Sequence, residues 1–187
     1  MKRLFVLIAV AALAGAAHAA DPGPYAGVSG GSSTVKGFCD GAAAAGVTCD
    51  DSGSSFRIFG GYQANPNVAF ELGYADLGKV SGSIAGLTAS VSASAFDVSA
   101  LFGIPLGDKA QIFTRLGVYH ASGDLDSNFG LSGSGSSTDL TVGVGFRFDV
   151  SKDVALRAEW QRYSAVGDDA IGRSDVDVIG GGVLFKF

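Results

Sequence analysis

Every second residue is apolar in the segment Leu140-Thr141-Val142-Gly143-Val144-Gly145-Phe146-Arg147-Phe148. A period of two residues is the pattern of a β-strand that has one apolar face. The same alternation occurs, more weakly in places, at residues 25–34, 56–63, 68–75, 95–104, 111–120, 154–161 and 176–187. We therefore predict eight strands of about ten residues each, the length that a tilted membrane-spanning strand needs.

The composition of the chain excludes several classes of protein. Its 187 residues suit one domain, and a hydrophobic content of 47% argues against a disordered chain. A net charge of −5 without a Lys/Arg cluster argues against nucleic-acid binding. No run of 18 apolar residues is present, so a helical membrane protein is not predicted.

The N-terminal residues have the pattern of a secretory signal peptide. Lys2 and Arg3 precede an apolar run at residues 4–13, and Ala17-His18-Ala19 has the small-x-small form of a cleavage site. Such a run is too short to cross about 30 Å of hydrocarbon as a helix. We predict a signal peptide at residues 1–19 and a single barrel domain at residues 20–187.

The connections between the predicted strands alternate in length. Three are short: residues 64–67, 105–109 and 149–153. Four are long and rich in Gly, Ser and Asp: residues 35–54, 78–94, 121–138 and 164–175. Short turns at one end and long loops at the other are typical of an up-and-down barrel in a bacterial outer membrane.

A soluble ligand-binding barrel is the alternative, with its apolar face inside. The other face is mostly Gly, Ala and Ser, which would be a poor solubilising surface but a suitable filling for a narrow lumen. Aromatic residues also lie near the strand ends, as in the girdles of membrane barrels: Tyr62, Tyr74, Phe102, Phe146, Phe148, Trp160, Phe185 and Phe187. We therefore predict an all-β, eight-stranded antiparallel up-and-down transmembrane β-barrel in the outer membrane of a Gram-negative bacterium. Its outward side chains are expected to include Phe70, Leu72, Val144 and Leu156.

Several segments resemble the OmpA-type transmembrane barrel. The most specific is the hairpin Phe59-Gly60-Gly61-Tyr62-Gln63-Ala64-Asn65-Pro66, and residues 68–74, 112–117 and 155–161 are also similar. The resemblance implies that the terminal strand, with Phe185 and Phe187, is the signal recognised by the barrel-assembly machinery during insertion. Larger family members continue into a soluble peptidoglycan-binding domain, which we do not expect here.

The resemblance also implies an ion-pair network in the lumen. Glu71 and Arg157 match the family's lumen Glu and Arg, whereas Leu101 stands at its Lys and Arg147 at a second Glu. Charges inside a narrow barrel should pair, because an isolated one costs several kcal/mol. We expect a lumen network of five residues: Glu71, Arg115, Arg147, Arg157 and Glu159. It could form a gated pore or a polar plug, and the narrow interior of eight strands favours the plug.

Two cysteines lie in the first long connection. Cys39 and Cys49 are ten positions apart in an exported chain, which predicts a disulfide. A metal site would need further ligands, and the mature chain has one histidine. We predict no metal and no cofactor.

That histidine is the residue on which an enzymatic hypothesis depends. His120-Ala121-Ser122, with Asp124 nearby, faintly resembles the His-x-Ser of the lipid A deacylases, but Gly123 stands where that pattern has Asn. We interpret His120 as a rim residue and do not predict an enzyme. A lipid A-modifying hydrolase that uses His120 is the remote alternative.

The long connections are acidic, and their sequence does not identify a ligand. We predict a structural or surface-interaction role, like that of an adhesin, with a narrow low-conductance diffusion channel as the alternative. The expected partners are outer-membrane lipid, lipopolysaccharide and the assembly machinery, with a host-surface ligand left unidentified. We expect a monomer.

Overall fold

The structure, a computed structural model, describes residues 22–42, 44, 46–128, 130, 132–167 and 172–187. The predicted signal peptide lies outside these residues. They contain the antiparallel strands β1 (Gly23–Val35), β2 (Thr48–Asp50), β3 (Ser52–Asn65), β4 (Val68–Ile84), β5 (Leu87–Leu106), β6 (Ala110–Ser127), β7 (Ser132–Asp149), β8 (Val154–Val166) and β9 (Ser174–Lys186). In this part of the chain no helix is long and apolar enough to cross a membrane.

The eight long strands close into a ring. Each pairs with its neighbours in the order β1-β3-β4-β5-β6-β7-β8-β9, and β9 pairs with β1. At this last seam Gly30 lies opposite Gly181 and Gly31 opposite Gly180. The short strand β2 adds to the end of β4. The predicted all-β, eight-stranded antiparallel barrel is confirmed.

Apolar side chains cover the outside of the ring. Phe70, Leu72, Val144 and Leu156 are between 45% and 56% exposed, as predicted, whereas Glu71 between two of them is 1% exposed. We call this outward surface the apolar band; it comprises the outward positions of residues 24–28, 56–62, 68–74, 96–106, 112–118, 140–148, 154–160 and 179–185. Such an area of exposed apolar side chains suits lipid and not water.

The short connections are confirmed, but two of the predicted long loops are wrong. Residues 78–94 form a hairpin, because β4 runs to Ile84 and β5 begins at Leu87. Ala85 and Gly86 have φ values of 49° and 84°, the positive values that a tight two-residue hairpin turn requires. Residues 121–138 are likewise mostly strand, in β6 and β7. Their Ser, Gly and Asp residues suggested loops, but in a strand these residues also form a water-facing surface.

Beyond the apolar band the polarity of the two faces of the barrel wall is reversed, with polar side chains outside and apolar side chains inside. On the outside, Ser122, Asp124 and Ser136 are exposed. On the inside, Leu77 and Val176 are each 3% exposed. We call this region the outer extension; it comprises residues 30–35, 52–55, 76–95, 120–128, 130, 132–139, 162–166 and 174–178. It resembles a soluble barrel, with a wet exterior and an apolar interior.

Candidate functional site: the ion pairs of the lumen

Six charged side chains meet inside the ring at the level of the apolar band. They come from five strands, and they meet because each occupies an inward position of its strand. We call them the central network; its members are Arg57, Glu71, Asp97, Arg115, Arg157 and Glu159. Three guanidinium groups face three carboxylates, so the formal charges cancel.

The Glu71 carboxylate is the hub of the central network. Arg157 Nη2 donates to Oε1 at 2.6 Å, and Arg115 Nη2 donates to Oε2 at 2.6 Å. Arg57 Nη1 contacts Oε2 at 3.3 Å, and the Tyr25 hydroxyl donates to Oε1 at 2.9 Å. Four donors from four strands therefore satisfy one buried carboxylate.

Two further carboxylates extend the central network across the lumen. Asp97 accepts from Arg57 Nη2 at 2.9 Å and from the Ser99 hydroxyl at 2.9 Å. On the other side, Glu159 accepts from Arg115 Nε at 2.5 Å. The line of alternating charges thus joins β5, β3, β4, β6 and β8.

An apolar floor supports the central network on the short-turn side. The Arg157 guanidinium carbon lies 4.7 Å from the Phe59 ring centroid and 4.8 Å from that of Phe113, within cation–π range. Leu101 is buried in the same floor. No charge comes from this position, and Arg57 and Arg115 pair with the network's carboxylates together with Arg157.

Arg147 does not belong to the central network, so its predicted membership is wrong. It is buried, but its Nε donates to Asp149 Oδ1 at 3.0 Å and its Nη1 to Gln63 Oε1 at 3.2 Å, near the short turns. Lys186 Nζ also contacts Asp149, at 3.2 Å. Arg147 is the register partner of Arg157, and two neighbouring guanidinium groups repel. Each therefore turns to a different carboxylate.

The structure brings the other four predicted lumen residues together and adds two. Glu71, Arg115, Arg157 and Glu159 lie within the central network, with Arg57 and Asp97. Arg57 and Asp97 are absent from the predicted network. The available signal was their inward phase, since both alternate with outward aromatic or branched residues.

Little free volume adjoins the central network. One cavity of about 30 Å³ adjoins Arg157, Glu159 and Tyr163, and another of about 10 Å³ adjoins Leu101 and Arg147. Six buried side-chain atoms of the described residues have no hydrogen-bond partner: Ser33 Oγ, Arg115 Nη1, Arg147 Nη2, Arg157 Nε, Arg157 Nη1 and the Tyr163 hydroxyl oxygen. Of these, Arg157 Nε and the Tyr163 hydroxyl belong to residues that line the larger cavity. The larger cavity has room for about one water molecule to serve them. The network therefore fills the cross-section of the lumen.

The remaining predicted residues lie away from the lumen charges. Cys39 and Cys49 form the predicted disulfide, with a Cα–Cα distance of 5.7 Å. His120 is exposed on the outer surface of β6, and its Nδ1 lies 2.8 Å from Thr138 Oγ1. Phe185 and Phe187 are 48% and 80% exposed at the short-turn end.

Metal-ligating side chains do not cluster in the described residues. Within them, no group of three or more His, Cys, Asp or Glu side chains is arranged to hold a metal ion. The acidic residues of the central network are instead paired with arginines.

Comparisons with known proteins agree with this architecture. The family model of the OmpA-like transmembrane domain matches residues 19–187. Outer membrane protein A of Salmonella typhi is 33% identical over 137 residues, which is 69% of this chain and 39% of that protein. The protein of the same name from Klebsiella pneumoniae is 33% identical over 136 residues, covering 69% of this chain and 40% of its own length. The chain thus spans about two fifths of these relatives.

Solved outer-membrane proteins share the fold. Neisserial surface protein A has a TM-score of 0.66 at 17% identity, covering 88% of this chain and 97% of its own. The N-terminal barrel of Pseudomonas aeruginosa OprF has a TM-score of 0.59 at 13% identity, covering 89% and 100%. Yersinia pestis Ail, the attachment invasion locus protein, has a TM-score of 0.55 at 17% identity, covering 88% and 99%. The chain belongs to the OmpA-like transmembrane domain family, whose members are outer-membrane β-barrels of Gram-negative bacteria.

Proposed function

We propose that this barrel is a closed structural element of the outer membrane and that its extracellular face takes part in surface interactions. The observation that carries the first part is the Glu71 hub. Three arginines and a tyrosine from four different strands converge on this carboxylate and tie opposite walls of the ring together.

Ion flow would require this arrangement to open. Breaking a buried ion pair costs about 3–5 kcal/mol when one charge is left without its partner. Since about 1.4 kcal/mol corresponds to a factor of ten in population, an open state would be populated below about one part in a hundred. The energetics therefore favour a plug over the alternative, a narrow low-conductance channel.

Conductance across a planar lipid bilayer distinguishes these two functions. We expect no discrete current steps from the refolded wild-type protein. The double variant Arg115→Ala/Glu159→Ala removes a paired cation and anion together and should produce steps, because it empties one side of the lumen. Asp126→Asn, at an exposed carboxylate outside the network, is the matched control. Discrete steps from the wild type would contradict the plug and support the channel.

The surface-interaction role is supported by the charge of the extracellular region. Its described carboxylates outnumber its lysines and arginines together, and they include Asp40, Asp50, Asp51, Asp124, Asp126, Asp139 and Asp175. Ail was solved in complex with the heparin analogue sucrose octasulfate. An acidic rim repels such a polyanion, so we propose a partner with a basic surface.

Adherence of whole cells tests this role. A deletion strain complemented with the wild-type protein should adhere to host cells better than one complemented with Asp124→Asn/Asp126→Asn. The advantage should shrink at high salt, because screening weakens attraction between exposed charges. Equal adherence of the deletion strain and both complemented strains would contradict a surface-interaction role.

We further propose that the protein is not an enzyme and that it acts as a monomer in contact with lipopolysaccharide after delivery by the assembly machinery. His120 contacts a threonine hydroxyl rather than a carboxylate, which does not favour a catalytic triad. A lipid A hydrolysis assay should give equal, negligible turnover for the wild type and His120→Ala. Turnover that depends on His120 would establish the hydrolase alternative.

A further inference from the structure

The interior of the outer extension contains an apolar cavity distinct from the central network. Its volume is about 70 Å³, and its larger lining side chains include Phe38, Leu77, Val80, Val91, Val166 and Val176. Phe38 comes from the loop that follows β1, and the other side chains come from β4, β5, β8 and β9. Since strands from different sides of the ring all contribute, the cavity lies inside it. No charged side chain of the described residues lines it.

The cavity exists because small residues occupy inward positions in an otherwise apolar core. Ala93, Ala121 and Gly123 line it from β5 and β6, where larger apolar residues would fill the space. Protein interiors are close-packed, so unfilled apolar volume forfeits dispersion contacts. The cavity is partly open to solvent, and its apolar lining favours an apolar guest over water, which would find few polar partners there.

A layer of aromatic side chains separates this cavity from the ion pairs. Tyr119 lies between Arg115 and Ala121 along β6, and it packs edge-to-face on Tyr163 with a centroid distance of 5.2 Å. Both rings are 1% exposed. The Tyr119 hydroxyl donates to the Ser164 carbonyl oxygen, which fixes the layer in place. A guest in the cavity therefore cannot reach the central network.

We propose that the outer extension is a binding site for a small, uncharged apolar molecule. The guest must be uncharged because the lining offers no partner for a charge and because the acidic rim repels anionic amphiphiles. We expect a small guest, since the cavity has about half the volume of the roughly 150 Å³ engineered cavity that binds benzene. This proposal goes beyond the closed-barrel function and is independent of whether the lumen conducts.

Xenon is a suitable probe because it is apolar, uncharged and small. The protein would be refolded into lipid nanodiscs with ¹³C-labelled Leu, Val and Ala methyl groups, and spectra recorded at increasing xenon pressure. Methyl shifts of Leu77, Val80 and Val176 should saturate. Those of Leu72 and Val118 in the apolar band should change linearly, because xenon merely dissolves in the surrounding lipid.

A matched pair of variants tests the location of the site. Ala121→Leu points a larger side chain into the cavity and should weaken xenon binding at least tenfold, whereas Ser122→Leu, at the adjacent outward position, should leave it unchanged. Ala93→Val fills the cavity from β5 and serves if Ala121→Leu fails to fold. Saturable shifts that survive both cavity-filling variants, or shifts of Leu77 that remain linear, would overturn the proposal. Conductance of the same variants in planar bilayers tests separately whether the lumen is closed.

Discussion

Replacing Glu71 by glutamine should destabilise the barrel more than any other single isosteric change in the lumen. The substitution keeps the shape of the side chain and removes its charge, so the central network passes from neutral to one excess cation. Arg57 and Arg115 retain Asp97 and Glu159 as close partners. Arg157 does not, since its Nη1 lies 3.9 Å from Glu159.

The magnitude follows from this asymmetry. An uncompensated buried charge costs about 3–5 kcal/mol, which we expect for Glu71→Gln. Arg157→Met should cost less, about 1–3 kcal/mol, because Glu71 keeps three donors and the thioether can pack between Phe59 and Phe113. The double variant is neutral again, so it should be more stable than Glu71→Gln alone.

Urea unfolding of the protein in phospholipid vesicles measures these differences. The chain has one tryptophan, Trp160, whose fluorescence reports on release from the membrane. Linear extrapolation gives the free energy of unfolding of each variant. Asp126→Asn, an exposed change outside the network, should stay within about 0.5 kcal/mol of the wild type.

Two results would refute the reasoning about the hub. The first is a free energy of unfolding for Glu71→Gln within about 1 kcal/mol of the wild type, well below the cost of an orphaned buried charge. The second is strict additivity in the double variant, because coupled charges must show an interaction energy. Either would mean that water or backbone groups satisfy the arginines without Glu71.

Three further changes probe the seam between β1 and β9 and the loop between β1 and β2. Gly31→Val should prevent closure of the ring, because a Cβ at this position overlaps the Ile179 carbonyl oxygen, and the compact electrophoretic form should be lost. The control Gly30→Val, whose Cβ would lie 3.7 Å from its nearest neighbour, should still form a closed ring. Reduction of the disulfide should speed proteolysis of its loop and leave the urea midpoint of the barrel unchanged, because the bond closes a loop of about ten residues outside the ring and its roughly 3 kcal/mol acts on that loop alone. The Ser52 hydroxyl and N–H donate to Asp50 and lower the pKa of this carboxyl below its ordinary 3.8, so the bond is present at neutral pH and lost as the pH falls through the lowered pKa. Ser52→Ala should raise the pKa of Asp50 toward 3.8 in a ¹³C NMR titration; an unchanged value would contradict this origin.

The sequence predicted the ring well because alternation is a local signal. An apolar residue such as Leu72, between Glu71 and Gly73, shows directly which face of the strand points outward. The Asn65-Pro66 pair shows where the turn of the hairpin lies. Alternation does not show at which level along the barrel axis an inward side chain lies. Arg147 was therefore assigned to the correct face but to the wrong cluster, which depends on its position opposite Arg157.

The outer hairpins were missed for a different reason. In residues 78–94 the apolar and polar positions still alternate, for instance at Val80, Val91 and Ser92, but here the apolar side chains point inward. A β-bulge between Asp76 and Lys79 also shifts the phase of β4. A single rule for which face is apolar could not describe both halves of one strand.

The exchange of faces along each strand fixes how deeply the barrel sits in the bilayer. Sinking by one pair of residues would move His120 and Thr138 toward the hydrocarbon and Asp124 after them, whereas rising would bring Phe96 and Val118 into water. Both displacements cost free energy, and the cost of a charge on the lipid face grows with depth. The molecule therefore carries its own vertical register, which holds its acidic rim at a constant distance above the lipid surface.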